Sequence, residues 1–154
     1  DLHYPLRRQR QMCIRDRLIN MNIEPFLLAS SIAGVLGLRL LRTICEHCKV
    51  ETQPNAEQLG LLPEEFVQST TFYTGQGCDH CADTGYHGRV AVTELLMSDE
   101  VTREGVIQKM RTRKLRDLAI DQGMTTLWQN ALAKVQRGVT SMDEVIRIVA
   151  VDQL

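Results

Sequence analysis

Two Cys-x-x-Cys motifs, Cys45-Glu46-His47-Cys48 and Cys78-Asp79-His80-Cys81, determine how this chain is interpreted. Twenty-nine residues separate the motifs, and the only other cysteine in the chain is Cys13. A tetrahedral cation such as Zn²⁺ prefers four soft thiolate ligands, which two such motifs brought face to face can supply. The sequence therefore predicts a zinc site with Cys45, Cys48, Cys78 and Cys81 as its ligands. Four thiolates leave no open coordination position, so the predicted role of the zinc is structural.

Other interpretations of these residues stay open at this point. The four thiols could form two disulfides, or they could be unrelated to one another. His47 or His80 could replace a cysteine, although we expect both imidazoles to lie in solvent or behind the ligands. Directly after the second motif, Gly85-Tyr86-His87-Gly88-Arg89 supplies glycines for the tight turns that such a site needs. The cysteine usage is typical of metal binding in a reducing cytosol.

Composition and charge exclude some classes of partner. The chain has 154 residues, which is long enough for one domain with a hydrophobic core, and its net charge is −1. Residues 1–17 carry five arginines and two aspartates, a net charge of +3, so residues 18–154 carry −4. Aromatic residues make up 5%, with Trp128 the single tryptophan. An acidic region with few aromatic side chains is unsuited to phosphate contacts or base stacking, so nucleic acid is not an expected partner.

No transmembrane segment is predicted. The longest uncharged stretch, residues 26–38, has thirteen residues, whereas a membrane-spanning helix needs roughly 20 apolar residues. No secretory signal pattern is found either. We therefore expect a soluble protein.

Residues 1–17 differ from the rest of the chain. They are rich in arginine and glutamine, show no hydrophobic periodicity and contain Cys13. Residues 11–17 resemble translated sequencing-adaptor sequence, and we interpret the segment as an artefact, with a basic arm as the alternative. It is excluded from the fold prediction.

From residue 18 onward the pattern predicts short helices and strands. Residues 26–37 are apolar and predict a helix that Pro25 begins. Residues 39–44 predict a strand that leads into Cys45. Helix starts are predicted next at residues 55–58 and 63–66, and strands are predicted at residues 71–74 and 89–93.

Residues 98–154 predict a bundle of amphipathic helices. The helix starts are Ser98-Asp99-Glu100, Thr112, Thr125 or Thr126, and the capping box Ser141-Met142-Asp143-Glu144. Gly123 and Gly138 are predicted to end the second and third helices. Gly105 lies inside the first predicted helix and makes it less favourable, because glycine is a poor helix former. Because these helices have their own caps and apolar stripes, we expect them to persist when the zinc site is lost.

No catalytic residue and no cofactor-binding residue is assigned. The chain contains no Gly-x-x-x-x-Gly-Lys-[Ser/Thr] loop for phosphates. It also contains no Ser/His/Asp or Cys/His set in a supporting sequence context.

Several separate segments, in the expected order and spacing, resemble the C-terminal part of the secretion ATPases that power type II secretion and type IV pilus assembly. These segments are Glu24-Pro25-Phe26-Leu27-Leu28-Ala29-Ser30-Ser31, Gly34-Val35-Leu36, Arg39-Leu40-Leu41-Arg42-Thr43-Ile44-Cys45, Gly77-Cys78-x-x-Cys81, Thr84-Gly85-Tyr86-x-Gly88-Arg89, Glu94-Leu95-Leu96, Gly123-Met124-x-Thr126-Leu127 and Gly138-Val139-Thr140-Ser141-x-x-Glu144-Val145. The resemblance covers about residues 18–150.

The resemblance implies an α/β fold with several parts. The implied architecture is the C-terminal remnant of a RecA-like P-loop NTPase domain with an inserted zinc-binding subdomain and a C-terminal helical bundle. The implied boundaries are 18–44 for the end of the ATPase core, 45–87 for the tetracysteine insert, 88–97 for a strand returning to the core, and 98–154 for the helical subdomain.

The resemblance also implies partners and a location. Members of the family work as homo-hexamers on the cytoplasmic face of the bacterial inner membrane. They couple ATP hydrolysis to movement of an inner-membrane platform protein that builds a pilus or pseudopilus. The family's phosphate-binding loop and acidic motifs are expected upstream, so we expect a fragment that alone neither binds nor hydrolyses ATP. ATP and Mg²⁺ are expected only in the full-length protein, and only the four cysteines carry over as site residues.

One departure and one alternative remain. The family usually reads Ala-Gln-Arg-Leu where this chain has Gly37-Leu38-Arg39-Leu40, which removes a polar contact at Leu38. Arg39 matches the family and is expected either to face a neighbouring subunit or phosphate, or to pair with a carboxylate. The zinc insert argues against the pilus-retraction ATPases, which typically lack it. Gly34-Val35-Leu36 and Gly138-Val139-Thr140-Ser141 favour type II secretion over type IV pilus assembly. The alternative function is a free-standing zinc-binding protein-interaction module.

Overall fold

A computed structural model of the chain describes residue 21 and residues 23–149. Within these residues the chain forms two compact units, each made of two separate stretches of sequence. The first unit comprises residues 21, 23–37 and 93–126, and the second unit comprises residues 38–92 and 127–149. The segment 1–17, interpreted above as an artefact, lies outside the described residues.

Short helices and strands alternate along the described residues. The helices are α1 (Pro25–Ser31), α2 (Ala56–Leu59), α3 (Glu64–Ser69), α4 (Glu100–Ile107), α5 (Thr112–Asp121), α6 (Leu127–Gln136) and α7 (Met142–Ile148). The strands are β1 (Gly34–Ile44), β2 (Lys49–Thr52), β3 (Phe72–Gly75) and β4 (Tyr86–Met97), and a 3₁₀ turn covers Asp79–Cys81. A mixed α/β fold is therefore confirmed.

The helix predicted over residues 26–37 is wrong in its second half. α1 ends at Ser31, and Ile32 is already extended, with φ −90° and ψ 119°. From Gly34 the residues of β1 alternate between exposed and half-buried, the period of a strand. Two glycines and the β-branched Val35 are poor helix formers, so pairing with β4 outweighs the apolar run that suggested a helix.

The strands pair in two separate sheets. β2 and β3 are antiparallel, with Lys49 opposite Gly75 and Thr52 opposite Phe72. β1 and β4 form the other sheet, and both are longer than the strands predicted at residues 39–44 and 89–93.

In the first unit, α1 packs against α4, and α4 packs against α5. The predicted helix start at residue 99 is confirmed, because Asp99 Oδ1 accepts the N–H of Thr102 at 2.7 Å. Gly105, which counted against this helix, has a packing reason. A Cβ at this position would lie 2.6 Å from Cδ1 of the buried Leu115, so glycine lets α5 approach closely.

The second unit is built around one hydrophobic core. Its buried members come from strands, from the segment between the cysteine motifs and from the last two helices: Leu41, Leu62, Phe72, Val92, Leu127, Ala131, Leu132, Val135, Met142, Val145 and Val149. Each fully buried large side chain contributes about 1.5–3 kcal/mol. The helices after Ser98 were expected to persist without the zinc site. Because Phe72 and Val145 share this core, α6 and α7 are packed together with the segment between the cysteine motifs, and we do not expect these two helices to be independent of it.

None of the helices in the described part of the chain is both long enough and apolar enough to cross a membrane.

A buried carboxylate connects β1 to α7. Glu144 is 1% exposed, and its carboxylate accepts N–H groups from two arginines. Arg42 donates through its backbone N at 3.0 Å, Nε at 3.0 Å and Nη2 at 2.7 Å. Arg147 donates through Nε at 2.9 Å and Nη2 at 2.7 Å.

The predicted capping box at residues 141–144 is therefore only half present. Ser141 Oγ accepts the N–H of Glu144 at 3.2 Å, as a helix cap should. The Glu144 side chain does not return to the backbone of Ser141, because two guanidinium groups bind it more strongly than a neutral N–H would.

Acid should remove the stabilisation that Glu144 provides. Burial acts to raise the pKa of Glu144, but hydrogen bonds from Arg147 and Arg42 outweigh it and lower the pKa from 4.5 to about 2. The unfolded chain then takes up the proton first, so the stabilisation is complete above pH 4.5 and disappears as the pH falls towards 2. Glu144→Gln should lower the free energy of unfolding by about 1.5–3 kcal/mol at neutral pH. In urea unfolding, its difference from the unmodified chain should shrink over this pH range.

The matched control for this prediction is Glu65→Gln, which removes the same charge at an exposed position. At neutral pH it should change the free energy of unfolding by no more than about 0.5 kcal/mol. A Glu144→Gln difference of unchanged size near pH 2 would contradict the role of the ionised carboxylate.

Candidate metal centre

Strand pairing brings the two cysteine motifs together. Cys45 directly follows β1, and Cys48 directly precedes β2. The second motif begins three residues after β3 and ends with the 3₁₀ turn Asp79–Cys81. Because Lys49 pairs with Gly75, the start of β2 lies beside the end of β3, and the motifs at these two ends become neighbours.

The four Sγ atoms all lie within 4.8 Å of one another. Cys45 and Cys78 are separated by 3.8 Å, Cys48 and Cys81 by 3.9 Å, and Cys78 and Cys81 by 3.7 Å. A tetrahedron with Zn–S bonds of about 2.3 Å has edges of about 3.8 Å, which these separations match. A disulfide needs about 2.05 Å, and all four cysteines are free. Four cysteines that could hold one metal ion are therefore present, and the disulfide alternative is not adopted.

Backbone N–H groups are directed at the sulfur of Cys81. Cys78 and Gly85 donate to it at 3.3 and 3.2 Å. Burial acts to raise the pKa of Cys81, but these donors lower it to about 7. Burial raises the pKa of Cys48 to about 12, and it also raises the pKa of Cys78. A bound metal ion would therefore find the Cys81 thiolate readily available, and it would displace protons from Cys48 and Cys78.

Gly85 joins the two motifs through its backbone. Its N–H donates to Cys81, and its carbonyl accepts the N–H of Cys45 at 3.0 Å. It lies in the left-handed region with φ +75°, and a Cβ there would collide with the backbone of Gly75. Of the glycines predicted to turn the chain after the second motif, Gly85 is therefore required, since only glycine fits at this position.

His47 and His80 lie exposed beside the cluster and stack on each other. Their ring centroids are 3.8 Å apart and their planes differ by 11°. Nearly parallel rings do not direct their nitrogen lone pairs at one ion. Of the two expected positions, in solvent or behind the ligands, both imidazoles occupy exposed ones, and neither belongs to the four-cysteine group.

Sequence analysis singled out Arg39 and missed Arg42. Arg39 is half-buried in β1, where its Nη1 lies 3.4 Å from the carbonyl oxygen of Leu38. Arg42 binds Glu144, a partner 102 residues away in the sequence, so no local pattern reveals the pair. The one local signal was Arg147, which follows Glu144 by three residues on the same helix.

The fold and the cluster define a class of protein, a mixed α/β protein with a four-cysteine group suited to a metal ion. The sequence pattern of the family described as Type II/IV secretion system protein matches residues 12–147. The chain belongs to this family, which confirms the resemblance. The match also includes the last six residues of the 1–17 arm.

Similar relatives come from both secretion and pilus systems. The type IV pilus assembly ATPase PilB of Thermus thermophilus is 40% identical over 133 residues, which cover 84% of this chain. The type IV pilus assembly ATPase TfpB of Acinetobacter baylyi is 35% identical over 135 residues, 86% of this chain. The type II secretion system ATPase E of Vibrio cholerae is 36% identical over 132 residues, also 86% of this chain.

The chain is much shorter than these relatives. It spans 15% of the length of the Thermus protein, 23% of the Acinetobacter protein and 26% of the Vibrio protein. Because the relatives divide between pilus assembly and type II secretion at similar identity, they do not decide between the two systems.

Replacing Gly85 should disturb the cluster more than replacing a glycine of similar backbone conformation elsewhere. Gly85→Ala and Gly123→Ala each place a side chain in the left-handed region, at φ +75° and +94°, which costs about 1–2 kcal/mol. At Gly123 a Cβ meets nothing within 4 Å, whereas at Gly85 it meets the backbone of Gly75. We expect Gly85→Ala to lose about 1–3 kcal/mol more stability in urea unfolding than Gly123→Ala. Equal losses would show that the close approach of Gly75 and Gly85 is unimportant.

Proposed function

We propose that this chain is the C-terminal, zinc-bearing part of a hexameric secretion ATPase. The whole protein would couple ATP hydrolysis to assembly of a pilus or pseudopilus in a type IV pilus or type II secretion system. The observation that carries the proposal is family membership over residues 12–147, with pilus and secretion ATPases among the relatives. The four-cysteine group inside the matched residues supports it.

In this proposal Cys45, Cys48, Cys78 and Cys81 hold one Zn²⁺ ion. Four sulfur ligands favour zinc or iron over magnesium and calcium, which prefer oxygen. The separations of 3.7–3.9 Å agree with a tetrahedral shell. A bound zinc ion would supply cross-linking and charge balance for the thiolates, and the full shell leaves no position for a substrate.

The residues around the cluster explain what such a cross-link would stabilise. Cys45 is joined to Ile44 at the end of β1, and Ile44 donates its N–H to the carbonyl of Val139 at 2.9 Å. Val139 lies just before α7, whose residues belong to the core of the second unit. Holding Cys45 in place therefore holds the end of β1 and, through Val139, the start of α7. The zinc would stabilise the core as well as the loops.

The remaining activities belong, in this proposal, to the longer protein. ATP and Mg²⁺ would bind in the part of the relatives' length that this chain does not span. The homo-hexamer and the inner-membrane platform protein are the proposed partners. The proposed location is the cytoplasmic side of the bacterial inner membrane, reached through that platform protein.

Metal content tests the ligand set. The purified chain should carry one zinc ion per molecule by elemental mass spectrometry, and Cys78→Ser should abolish stoichiometric zinc. Cys13→Ser is the matched control, because Cys13 is the one cysteine outside the two motifs. Loss of zinc should also reduce hydrogen-exchange protection in β2, β3, α6 and α7, since these elements share one core or flank the cluster. Iron in place of zinc, or full protection of α6 and α7 in Cys78→Ser, would contradict the proposed structural zinc.

A hybrid enzyme tests the ATPase assignment. Residues 23–149 would replace the corresponding segment of the Vibrio cholerae type II secretion system ATPase E. ATP hydrolysis should be retained, and Cys78→Ser in the hybrid should reduce it about tenfold or more, because the zinc supports the fold of the whole protein. A second hybrid with the Acinetobacter baylyi segment shows what a relative of comparable identity achieves. If that control hydrolyses ATP and a folded, zinc-bound hybrid of this chain does not, the ATPase assignment is wrong and the chain is a separate zinc-binding module.

A further inference from the structure

The carboxylate of Glu144 is bound by more positive charge than its neutralisation requires. One guanidinium balances one carboxylate, yet both Arg42 and Arg147 bind Glu144, each with a shortest N–O distance of 2.7 Å. We call Arg42 and Arg147 on Glu144 the arginine pair. The group carries a net charge of +1, so the second guanidinium is not explained by compensation of the buried charge alone.

The arginine pair keeps unused donors on its outer side. Both arginines bind Glu144 through Nε and Nη2. A guanidinium has five N–H groups in one rigid plane, so the N–H groups of Nη1 and one of Nη2 remain on each. Within the part of the chain that the structure describes, neither Nη1 atom has a hydrogen-bond partner. The side chains are 42% and 55% exposed, so these donors can be reached from solvent.

Neighbouring groups hold Arg42 of the arginine pair in one orientation. The guanidinium of Arg42 lies over the ring of Tyr86, with Cζ 4.1 Å from the centroid. Tyr86 is fixed in turn, because its hydroxyl is hydrogen-bonded to Ser141 Oγ at 2.6 Å. The backbone of Arg42 is held as well, since its carbonyl accepts the hydroxyl of Thr140 at 2.8 Å. An exposed arginine normally loses side-chain entropy when it binds, and here much of that ordering precedes binding.

The acidic residue next to Glu144 on α7 binds elsewhere and does not offset the positive charge of the arginine pair. The acidic neighbour of Glu144 on α7 is Asp143, whose Oδ1 accepts Nε2 of Gln58 at 2.6 Å. That contact directs the Asp143 carboxylate towards α2 instead of the arginine pair. The chain beyond residue 17 is nevertheless acidic overall, with a net charge of −4. A long polyanion is therefore repelled by the whole surface, whereas a single carboxylate experiences mainly the local positive charge.

We propose that the arginine pair is a docking site for a carboxylate on an acidic segment of a partner protein. The free edge of a guanidinium offers two parallel N–H donors that match the two oxygens of an Asp or Glu side chain. Two such edges, held on one carboxylate, suit a partner with closely spaced acidic residues. The proposal does not depend on zinc or on ATP hydrolysis.

The test uses an acetylated and amidated diglutamate peptide, which carries closely spaced carboxylates without a long run of charge, together with the isotope-labelled chain. Titration should shift the Nε–H nuclear magnetic resonance signals of Arg42 and Arg147, and added salt should weaken binding. Arg147→Gln should weaken binding about tenfold, which corresponds to about 1.4 kcal/mol. This variant leaves Arg42 on Glu144 with three hydrogen bonds. Arg137→Gln, the same charge change at an exposed position in the second unit, should stay within about twofold.

A second variant guards against loss of structure. Arg147→Lys keeps the charge but removes the planar pair of donors, so it should also weaken binding, while Arg137→Lys should not. Equal weakening by the substitutions at residues 137 and 147, or a titration without shifts at Arg42 and Arg147, would overturn the proposal. Tighter binding of inorganic phosphate than of the peptide at these arginines would also overturn it, because the natural ligand would then be a phosphate.

Discussion

In the second unit four sulfur atoms lie within 4.8 Å of one another, and this close approach constrains the segments that carry them. Thiolates at such separations repel each other strongly, so an arrangement of four is stable only with a cation among them or with most of them protonated. The first motif closes the connection from β1 to β2, and the second closes the connection from β3 to β4. The β2–β3 pair has four residues on each strand, and an isolated hairpin of that size is marginal in water. A metal ion bound by the four sulfur atoms would give this pair the long-range connections that its own hydrogen bonds do not provide.

The same unit is held at a second place by charge. Glu144 is buried on α7 and accepts hydrogen bonds from Arg42 on β1 and from Arg147 one turn away. Along the chain, Ile44 lies between Arg42 of this ion pair and Cys45 of the cluster, and its N–H donates to the carbonyl of Val139. Strand β1 is thus connected to α7 and the residues just before it by an ion pair and by a backbone hydrogen bond.

Local sequence patterns predicted the parts of the fold that depend on local chemistry. The structure brings the four cysteines of the two motifs together, and the turn glycines after them and the caps at Asp99 and Ser141 lie where they were predicted. The helix predicted over residues 26–37 was wrong in its second half. A continuous apolar run shows neither the helical nor the strand periodicity, and residues from Gly34 onward form a strand that pairs with β4. The second half of the predicted capping box is absent because the Glu144 side chain binds Arg42, a distant residue that no helix pattern includes.

The sequence by itself determined which family this chain belongs to and which cysteines come together. Thiolate chemistry and short motif spacing restrict those residues to few arrangements. Only the tertiary structure decided that α6 and α7 share a core with Phe72, and that Arg42 meets Glu144 across 102 residues. Hydrophobic side chains specify burial but not their partner, and an ion pair between distant residues leaves no periodic trace in the sequence.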